Sequence, residues 1–230
     1  MRLKFASYNI HKAVGTDGRR DHDRIMRVIH EIGADVIALQ EVDLRFGSRA
    51  SVLPRALIEE AGYAIDPLFM RPASLGWHGN AILVRRDIAI IDAGPIDLPT
   101  LEPRGAVRVD LEREGKRFRV AGMHLDLSGF RRRHQIRSIL GDLAGCHAVM
   151  LGDFNEWSLR GGSTDEFDSG WEVIAPGKSF PSRRPLAPLD RIAHSAQWRL
   201  IDAGVYHHAL AVSASDHLPV WAVLELAAQK

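Results

Sequence analysis

The sequence predicts an α/β protein built as a sandwich of two mixed β-sheets with helices on the outside. Short apolar, β-rich runs alternate with helical patterns along all 230 residues. Three predicted helices are too few for the ten predicted strands, because each parallel strand pair needs a crossover that is normally helical. The runs 106–111 and 117–123 also flank a short polar segment, which is typical of a hairpin. Several strands must therefore pair antiparallel within the sheets.

Each element follows from a local pattern. The predicted strands are short apolar runs rich in β-branched residues: 3–8, 36–39, 81–84, 88–92, 106–111, 117–123, 148–151, 190–193, 198–203 and 220–226. The predicted helices are 23–32, 53–61 and 132–144. In the first, apolar residues recur at helical spacing from Ile25 to Ile32, and Gly33 follows as a stop signal. The segments 161–170 and 177–188, rich in Gly, Ser, Pro and charge, are predicted surface loops.

The composition is that of an ordinary globular protein. A hydrophobic fraction of 46% and a charged fraction of 26% exclude a disordered, collagen-like or coiled-coil chain. The net charge of +1 gives no overall basic field that would indicate nucleic acid, although a local groove can still be basic. The single cysteine, Cys146, excludes an internal disulfide and a cysteine-based zinc site. No composition break or repeat divides the chain, so we expect one domain over residues 1–230 and a monomer.

The sequence carries no signal for export or membrane insertion. The N-terminal residues run directly into a strand pattern, with Lys4 inside what would be the apolar part of a signal peptide. No uncharged stretch approaches the ~18 residues that a membrane span needs. We therefore expect a cytoplasmic protein.

Polar side chains recur at the ends of predicted strands, where α/β proteins usually bind their ligands. These side chains are Asn9, Gln40 with Glu41, His124 with Asp126, Asp153 with Asn155, and Asp216 with His217 ahead of the last strand. Each alone has a purely structural explanation, such as a turn cap or an Asx-turn. Their repetition at strand ends far apart in the chain favours one shared site.

The residue types at these strand ends suit one chemistry. Glu41, Asp153, Asp216 and Asn9 offer hard oxygen ligands, which favour Mg²⁺ or Mn²⁺ over zinc. Two histidines beside such a cation indicate proton transfer or charge stabilisation at a phosphate. The sequence therefore predicts a hydrolase of phosphate esters.

Seven motifs carry a family resemblance, in order along the chain. They are Ser7-Tyr8-Asn9, Leu39-Gln40-Glu41-Val42, His78-Gly79-Asn80-Ala81-Ile82-Leu83, His124-Leu125, Gly152-Asp153-Phe154-Asn155, Leu189-Asp190-Arg191 and Ser215-Asp216-His217-Leu218-Pro219-Val220. From about residue 3 to 226 the sequence resembles the endonuclease/exonuclease/phosphatase superfamily, which includes pancreatic-type deoxyribonuclease, exonuclease III and neutral sphingomyelinase. The resemblance implies a four-layer α/β sandwich, with two packed mixed β-sheets flanked by helices. It also implies Mg²⁺-dependent hydrolysis, with Mn²⁺ as a possible substitute, by in-line attack of water on phosphorus.

The same resemblance assigns the metal. Glu41 would be its direct ligand, Asn9 would lie beside it, and Asp216 would lie at or near it.

The resemblance also assigns the catalytic residues. Asp153 would orient or deprotonate the attacking water, and Asn155 would hold that water and a phosphate oxygen. His217 would contact the scissile phosphate, with Asp190 fixing its ring and favouring its charged form. His124 would face the phosphate and the leaving group; exonuclease III-type members normally have tyrosine there, which argues against DNA repair.

Four further residues are weaker candidates for substrate binding, and for each a structural role is at least as strong an expectation. They are Asn80, His11, His78 and Arg104. The triplet Arg131-Arg132-Arg133 is expected to be a solvated helix face.

Three functions stay open, with a substrate that is a lipid headgroup, a nucleotide or a nucleic acid. The first is a phosphodiesterase, the second an endo- or exonuclease, and the third a non-catalytic module that binds a phosphate ligand.

Overall fold

The computed structural model describes residues 1–65, 73–99, 104–159 and 161–227. Its strands are β1 Arg2–Asn9, β2 Val36–Gln40, β3 Tyr63–Ile65, β4 Ala81–Arg85, β5 Ala89–Ile96, β6 Ala106–Arg113, β7 Lys116–His124, β8 Ala148–Asp153, β9 Trp171–Ile174, β10 Asp190–Ser195, β11 Trp198–Val205 and β12 Val220–Leu226. Its α-helices are α1 His22–Ile32, α2 Arg55–Glu60, α3 Gly129–Asp142 and α4 Ala209–Ala214. Short 3₁₀ turns lie at His11–Ala13 and Gly162–Glu166.

The strands form two mixed sheets packed face to face, so the predicted fold class is confirmed. One sheet has the order β11-β12-β1-β2-β4-β3 and the other β5-β6-β7-β8-β10-β9. Only β1–β2 and β7–β8 are parallel among the pairs within the described ranges. Each parallel pair is joined by a helical crossover, α1 in the first sheet and α3 in the second.

Three apolar clusters define the layers. Between the sheets, Phe5, Phe118 and Trp198 meet edge to face with ring centroids 5.4 to 6.4 Å apart. Helices α1 and α4 cover the outer face of the first sheet, and α3 covers that of the second. The interior between the sheets is therefore closed on both sides, and functional groups gather at the sheet ends.

The two sheets repeat one topology, a repeat that the sequence does not reveal. In the second sheet the meander β5-β6-β7 is followed by α3 and β8, and the β9–β10 hairpin returns β10 beside β8. In the first sheet β11-β12-β1 corresponds to that meander, α1 and β2 follow, and β4 returns beside β2. Asn9 pairs with Gln40 in one sheet as His124 pairs with Asp153 in the other.

The helices confirm the sequence prediction with shifted ends. In α1 the Asp21 carboxylate caps the helix by accepting a hydrogen bond from the Arg24 amide at 2.9 Å, and Gly33 ends it in the left-handed conformation. Pro54 occupies the N-cap of α2, which delays its start to Arg55. The short elements β3, β9 and α4 were not predicted, because runs of three to six residues carry too little periodicity.

Two expectations about surfaces are wrong in part, although Arg183 and Arg184 in one segment and Arg133 in the other are exposed. The segment 177–188 is not a simple surface loop, because Ser179 and Ser182 are fully buried. Ser182 Oγ donates a hydrogen bond to the carbonyl of Ser215 at 2.6 Å, which ties the segment to the chain ahead of β12. Arg132 is also buried instead of solvated, since its guanidinium pairs with Glu156 at 3.1 Å.

Within the described ranges, none of the helices has the length and apolar character to cross a membrane.

Candidate active site

The predicted strand-end residues meet at one end of the sandwich. Asn9 ends β1, His124 ends β7 and Asp153 ends β8, while Asp190 begins the antiparallel strand β10. His217 lies between α4 and β12. Because the two parallel pairs point the same way, their carboxyl ends bring side chains from both sheets together.

Asp153 lies at the centre of this cluster and is 1% exposed. Its Oδ2 accepts a hydrogen bond from Asn9 Nδ2 at 3.2 Å, which links the two sheets. The same oxygen lies 3.4 Å from His124 Nε2 and 3.8 Å from His217 Nε2. Its Oδ1 accepts the backbone N–H of Asn155 at 2.9 Å in an Asx-turn. Asp153 therefore has both roles, since it forms the Asx-turn and also lies at the centre of the site.

A close backbone approach fixes the position of Asp153. A Cβ atom on Gly152 would lie 2.0 Å from the carbonyl oxygen of Met123, so only glycine fits between β7 and β8 at that point. Asn155 then takes a left-handed conformation with φ 49°. Its Nδ2 donates to the carbonyl of Leu125 at 2.9 Å, which leaves the amide oxygen available to a ligand.

His217 forms a buried ion pair with Asp190. Its Nδ1 lies 2.8 Å from Asp190 Oδ2, and Ser179 Oγ donates to that same oxygen at 2.6 Å. Burial by itself lowers the pKa of His217, but the carboxylates of Asp190 and Asp153 outweigh it and raise the pKa to about 10. His217 is therefore an imidazolium at neutral pH. The ring of Phe180 packs against it, with centroids 4.8 Å apart.

His124, in contrast to His217, is uncharged at neutral pH. Burial lowers its pKa to about 3, and the guanidinium of Arg104 adds to that effect against the pull of Asp153. Arg104 Nη1 makes a short contact with His124 Nε2, and it also donates to the carbonyl of Leu125 at 2.7 Å. Because a guanidinium can only donate, Nε2 carries the lone pair and the neutral ring holds its proton on Nδ1.

Glu41 lies under a strained turn that follows β1. His11, Lys12 and Ala13 all have left-handed backbones, with φ of 46°, 56° and 60°, and Glu41 has φ 58°. The Lys12 N–H donates to the Glu41 carbonyl at 3.2 Å, and the Lys12 ammonium pairs with the Glu41 carboxylate. Burial would raise the pKa of Glu41, but Lys12, His11 and Arg45 lower it, so the carboxylate is ionised. Non-glycine residues adopt such a conformation only where the surroundings hold it.

The donors near Glu41 fit a hard divalent cation. Glu41 offers a carboxylate and Asn9 an amide oxygen that already accepts the His11 N–H at 3.1 Å. The Lys12 ammonium lies against Glu41 as a cation would. Asp216 is half-exposed at the edge, with Oδ1 3.9 Å from His11 Nδ1.

A second cluster of side chains that could hold a metal ion is more deeply buried than Glu41 and Asn9. Asp153, Asp190 and His217 place one ligand atom each within 4.8 Å of one another. The 2.8 Å hydrogen bond between His217 and Asp190 already uses the imidazole Nδ1, so this trio is better suited to holding a proton. Asp190 Oδ1 is buried, and among the described residues it has no hydrogen-bond partner.

The four weaker candidates divide. Arg104 and His78 line one cavity with Lys12, Glu41 and His124, of about 40 Å³. Asn80 is fully buried and donates to the carbonyl of Gly105 at 3.1 Å, which is a structural role. His11 Nδ1 lies 3.0 Å from the Val14 carbonyl within its own turn.

Sequence reasoning missed Lys12 and Ser179. A lysine three residues after Asn9 carries no motif of its own, and its contact with Glu41 spans 29 positions. The sequence predicts a surface loop around Ser179, and only the packing of that segment against β10 brings the hydroxyl to Asp190.

Comparisons with known proteins agree with this fold. The sequence profile of the Endonuclease/Exonuclease/phosphatase family matches residues 6–217. Among curated proteins, none matches the chain. The crystal structure of an endonuclease/exonuclease/phosphatase from Bacteroides vulgatus superposes with a TM-score of 0.76 at 16% identity, covering 99% of this chain and 100% of that chain.

Two solved enzymes share the architecture. The catalytic domain of human Nocturnin with bound sulfate gives a TM-score of 0.72 at 19% identity, over 98% of this chain and 94% of that one. The mannosyl-6-phosphatase of Bacteroides thetaiotaomicron gives 0.74 at 18% identity, over 97% of this chain and 100% of that one. Identities this low show the fold alone. The profile, in contrast, spans nearly the whole sequence, and the chain therefore belongs to the endonuclease/exonuclease/phosphatase family, whose members hydrolyse phosphoester bonds.

Proposed function

We propose that this single-domain protein is a Mg²⁺-dependent phosphodiesterase, with Mn²⁺ as a substitute ion. The observation that carries the proposal is the arrangement around Asp153. One oxygen of this carboxylate faces a cationic histidine on one side and a neutral histidine on the other. A base and an anion-stabilising cation within 4 Å suit attack of water on a phosphate ester.

Glu41 and Asn9 would hold the metal ion, and Asp216 would support it from the half-exposed edge. When bound, the ion would stabilise the negative charge that develops on the phosphate oxygens. Lys12 Nζ pairs with Oε2 of Glu41, so the ammonium and the ion would compete for this carboxylate.

Asp153 receives the proton of the attacking water. Its hydrogen bonds from Asn9 and from the Asn155 amide fix its orientation before the substrate arrives. Asn155 positions the same water through its amide oxygen, because its Nδ2 is held by the Leu125 carbonyl.

His217 provides a fixed positive charge at the phosphate. Asp190 and Ser179 hold its ring from behind, so the proton on Nε2 faces the reacting group. On the opposite side the neutral His124 faces the phosphate and leaving group. The positive charge on that side belongs to Arg104.

Hydrolysis of bis(p-nitrophenyl) phosphate and of p-nitrophenyl phosphate, each with Mg²⁺, Mn²⁺ or EDTA, tests the proposal. We expect metal-dependent cleavage of the diester and little of the monoester. Preference for the monoester would make the protein a phosphomonoesterase. These small esters lack the remote groups that bind a natural substrate, so an inactive result is followed by the same assay with phospholipid and oligonucleotide diesters. Inactivity toward all of them would favour the non-catalytic module.

Two variants make the test specific to the site. Asp153→Asn and His217→Ala are expected to lower kcat by about a thousandfold or more without loss of the fold. Asp202→Asn and His30→Ala are matched controls, because both residues are exposed and lie outside the cluster. Wild-type rates in either site variant would contradict the assignment.

A further inference from the structure

Large apolar side chains are exposed mainly at one end of the molecule. Eight such residues in the described ranges are exposed, and six of them lie on loops or helix starts at the active-site end. We call these six the apolar rim: Phe46, Leu127, Phe130, Trp157, Leu159 and Leu186. Phe46 is 86% and Phe130 73% exposed. The other two, Ile91 and Ile201, lie on β5 and β11.

The apolar rim belongs to the same segments that build the site. Phe46 follows Glu41 by five residues, Leu127 follows His124 by three, and Trp157 follows Asn155 by two. Leu186 lies on the segment that supplies Ser179.

A direct contact joins the apolar rim to the catalytic groups. The rings of Trp157 and Phe180 lie 6.2 Å apart, and Phe180 packs on His217 at 4.8 Å. Whatever covers the rim therefore lies over the candidate active site.

Arginines accompany the apolar rim. Arg45 precedes Phe46, and Arg183 and Arg184 precede Leu186, all three exposed. Arg133, which follows Phe130 on α3, is also exposed but pairs with Asp165 and Glu166.

The carboxylates nearest the site are withdrawn from solvent, whereas Asp165 and Asp168 of the 161–170 segment are exposed. Asp43, Asp126 and Glu156 are 5% to 8% exposed, and Glu41 pairs with Lys12. Along the loops of Phe46 and Leu186 the exposed charges are therefore positive, and they complement an anionic partner.

We propose that this end of the sandwich docks on an anionic lipid bilayer, with the apolar rim inserted among the headgroups. Apolar side chains interleaved with arginines are the combination that binds such an interface. Three of the six are leucines, which have no ring to stack on bases, so the rim fits a bilayer better than single-stranded nucleic acid. The inference rests on the proposed function, because docking would present bilayer phosphate esters to the site.

Co-sedimentation with vesicles tests the docking without turnover. The full chain is mixed in EDTA with vesicles of phosphatidylcholine alone, or of phosphatidylcholine with phosphatidylglycerol. We expect binding to the anionic vesicles, and a loss of about tenfold or more in the partition coefficient for Phe46→Ser/Leu159→Ser. The matched control Ile91→Ser/Ile201→Ser removes two exposed apolar residues elsewhere and should bind within twofold of wild type.

The outcomes separate the two proposals. Absence of wild-type binding to anionic vesicles overturns the docking, as does equal loss in the rim and control variants. Retained vesicle binding in the rim variant, with lost affinity for a single-stranded oligonucleotide, also overturns it. Turnover of the soluble diester is measured separately, and it should be unchanged in the rim variant, whose substituted residues lie outside the catalytic cluster. If the docking fails while the soluble diester is cleaved, only the docking is wrong.

Discussion

His217 and Asp190 form an ion pair in the interior of the site, with Nδ1 and Oδ2 2.8 Å apart and both side chains at most 7% exposed. A buried charge pair persists only when each partner has further polar support. Ser179 supplies it to Asp190, and Asp153 faces the other end of the imidazolium. The pair thus holds a positive charge in place where a phosphate would bind.

Asp190→Asn should remove that charge and shift the pH dependence of activity. The cationic form exists below the His217 pKa of about 10, and without Asp190 we expect the pKa to fall toward its ordinary value of 6.5, because burial opposes the charge and only the contributions of Asp153 and Asp216 still raise the pKa. With a pKa of 6.5, only about 3% of the ring would stay charged at pH 8, so we expect kcat/KM to fall by up to about thirtyfold. At pH 6 the loss should be much smaller. Ser179→Ala keeps the carboxylate and serves as the control. A pH-rate profile with an unmoved alkaline limb would contradict this account.

The two site histidines, His124 and His217, should titrate at opposite ends of the pH scale. In ¹⁵N-resolved NMR of the metal-free protein, we expect His124 to stay neutral from pH 8 down to about pH 5, since its pKa is lowered to about 3. His217 should stay protonated up to about pH 9. Titration of both site histidines near pH 6.5 would show that burial and Asp190 do not set their charge.

Lys12→Met should tighten Mg²⁺ binding. The ammonium pairs with the same carboxylate that would bind the ion, and removing it relieves like-charge repulsion. We expect the Kd for Mg²⁺, measured by calorimetry, to fall by about tenfold. Lys116→Met removes a lysine from the start of β7, at the far end of that strand, and should leave the Kd unchanged. An unchanged Kd in Lys12→Met would place the metal away from Glu41.

Glu156→Gln should destabilise the fold, and the effect should depend on pH. Although burial opposes ionisation, hydrogen bonds from Ser163, Ser158 and Arg132 lower the pKa of Glu156 to about 2. A lowered pKa contributes stability that is present above about pH 4.5 and is lost as the pH falls toward 2. At pH 7 we expect a loss of about 3 kcal/mol in urea unfolding, because Arg132 would be left as a buried unpaired charge.

The difference between Glu156→Gln and wild type should narrow between pH 5 and pH 3. Glu225→Gln removes an exposed ion pair with Arg2 and Arg199 and should change the unfolding free energy little. A pH-independent difference in Glu156→Gln would mean that packing, and not charge, holds this segment.

The strand-end residues could be predicted because an apolar run followed by a polar residue marks the end of a buried strand. Asn9, His124 and Asp153 were found this way, and the structure places them in one cluster. The partners Lys12 and Ser179 could not be found, since their contacts depend on a left-handed turn and on how one loop packs. The left-handed turn is built from His11, Lys12 and Ala13, so no glycine marks it.

The alternation of elements predicted the fold class, but the repeated topology stayed hidden. A repeat in strand order leaves no trace when the side chains differ, as they do between Asn9–Gln40 and His124–Asp153. The chain also enters the first repeat unit at its third strand, β1, and completes it with β11 and β12 at the other end of the sequence. The matching strands nevertheless follow in the same order, with β1 to β6 corresponding to β7 to β12, so it is the divergence of the side chains that hides the repeat.

The hydrogen bond between Asn9 and Asp153 bridges the two sheets, so the catalytic geometry depends on how the sheets are stacked. The aromatic cluster of Phe5, Phe118 and Trp198 lies between the same two sheets and sets their spacing. A slide of one sheet by an ångström would misalign donor and acceptor groups that belong to different sheets. Substitutions in that aromatic cluster would therefore act at a distance, as changes in turnover without any change in the residues that touch the substrate.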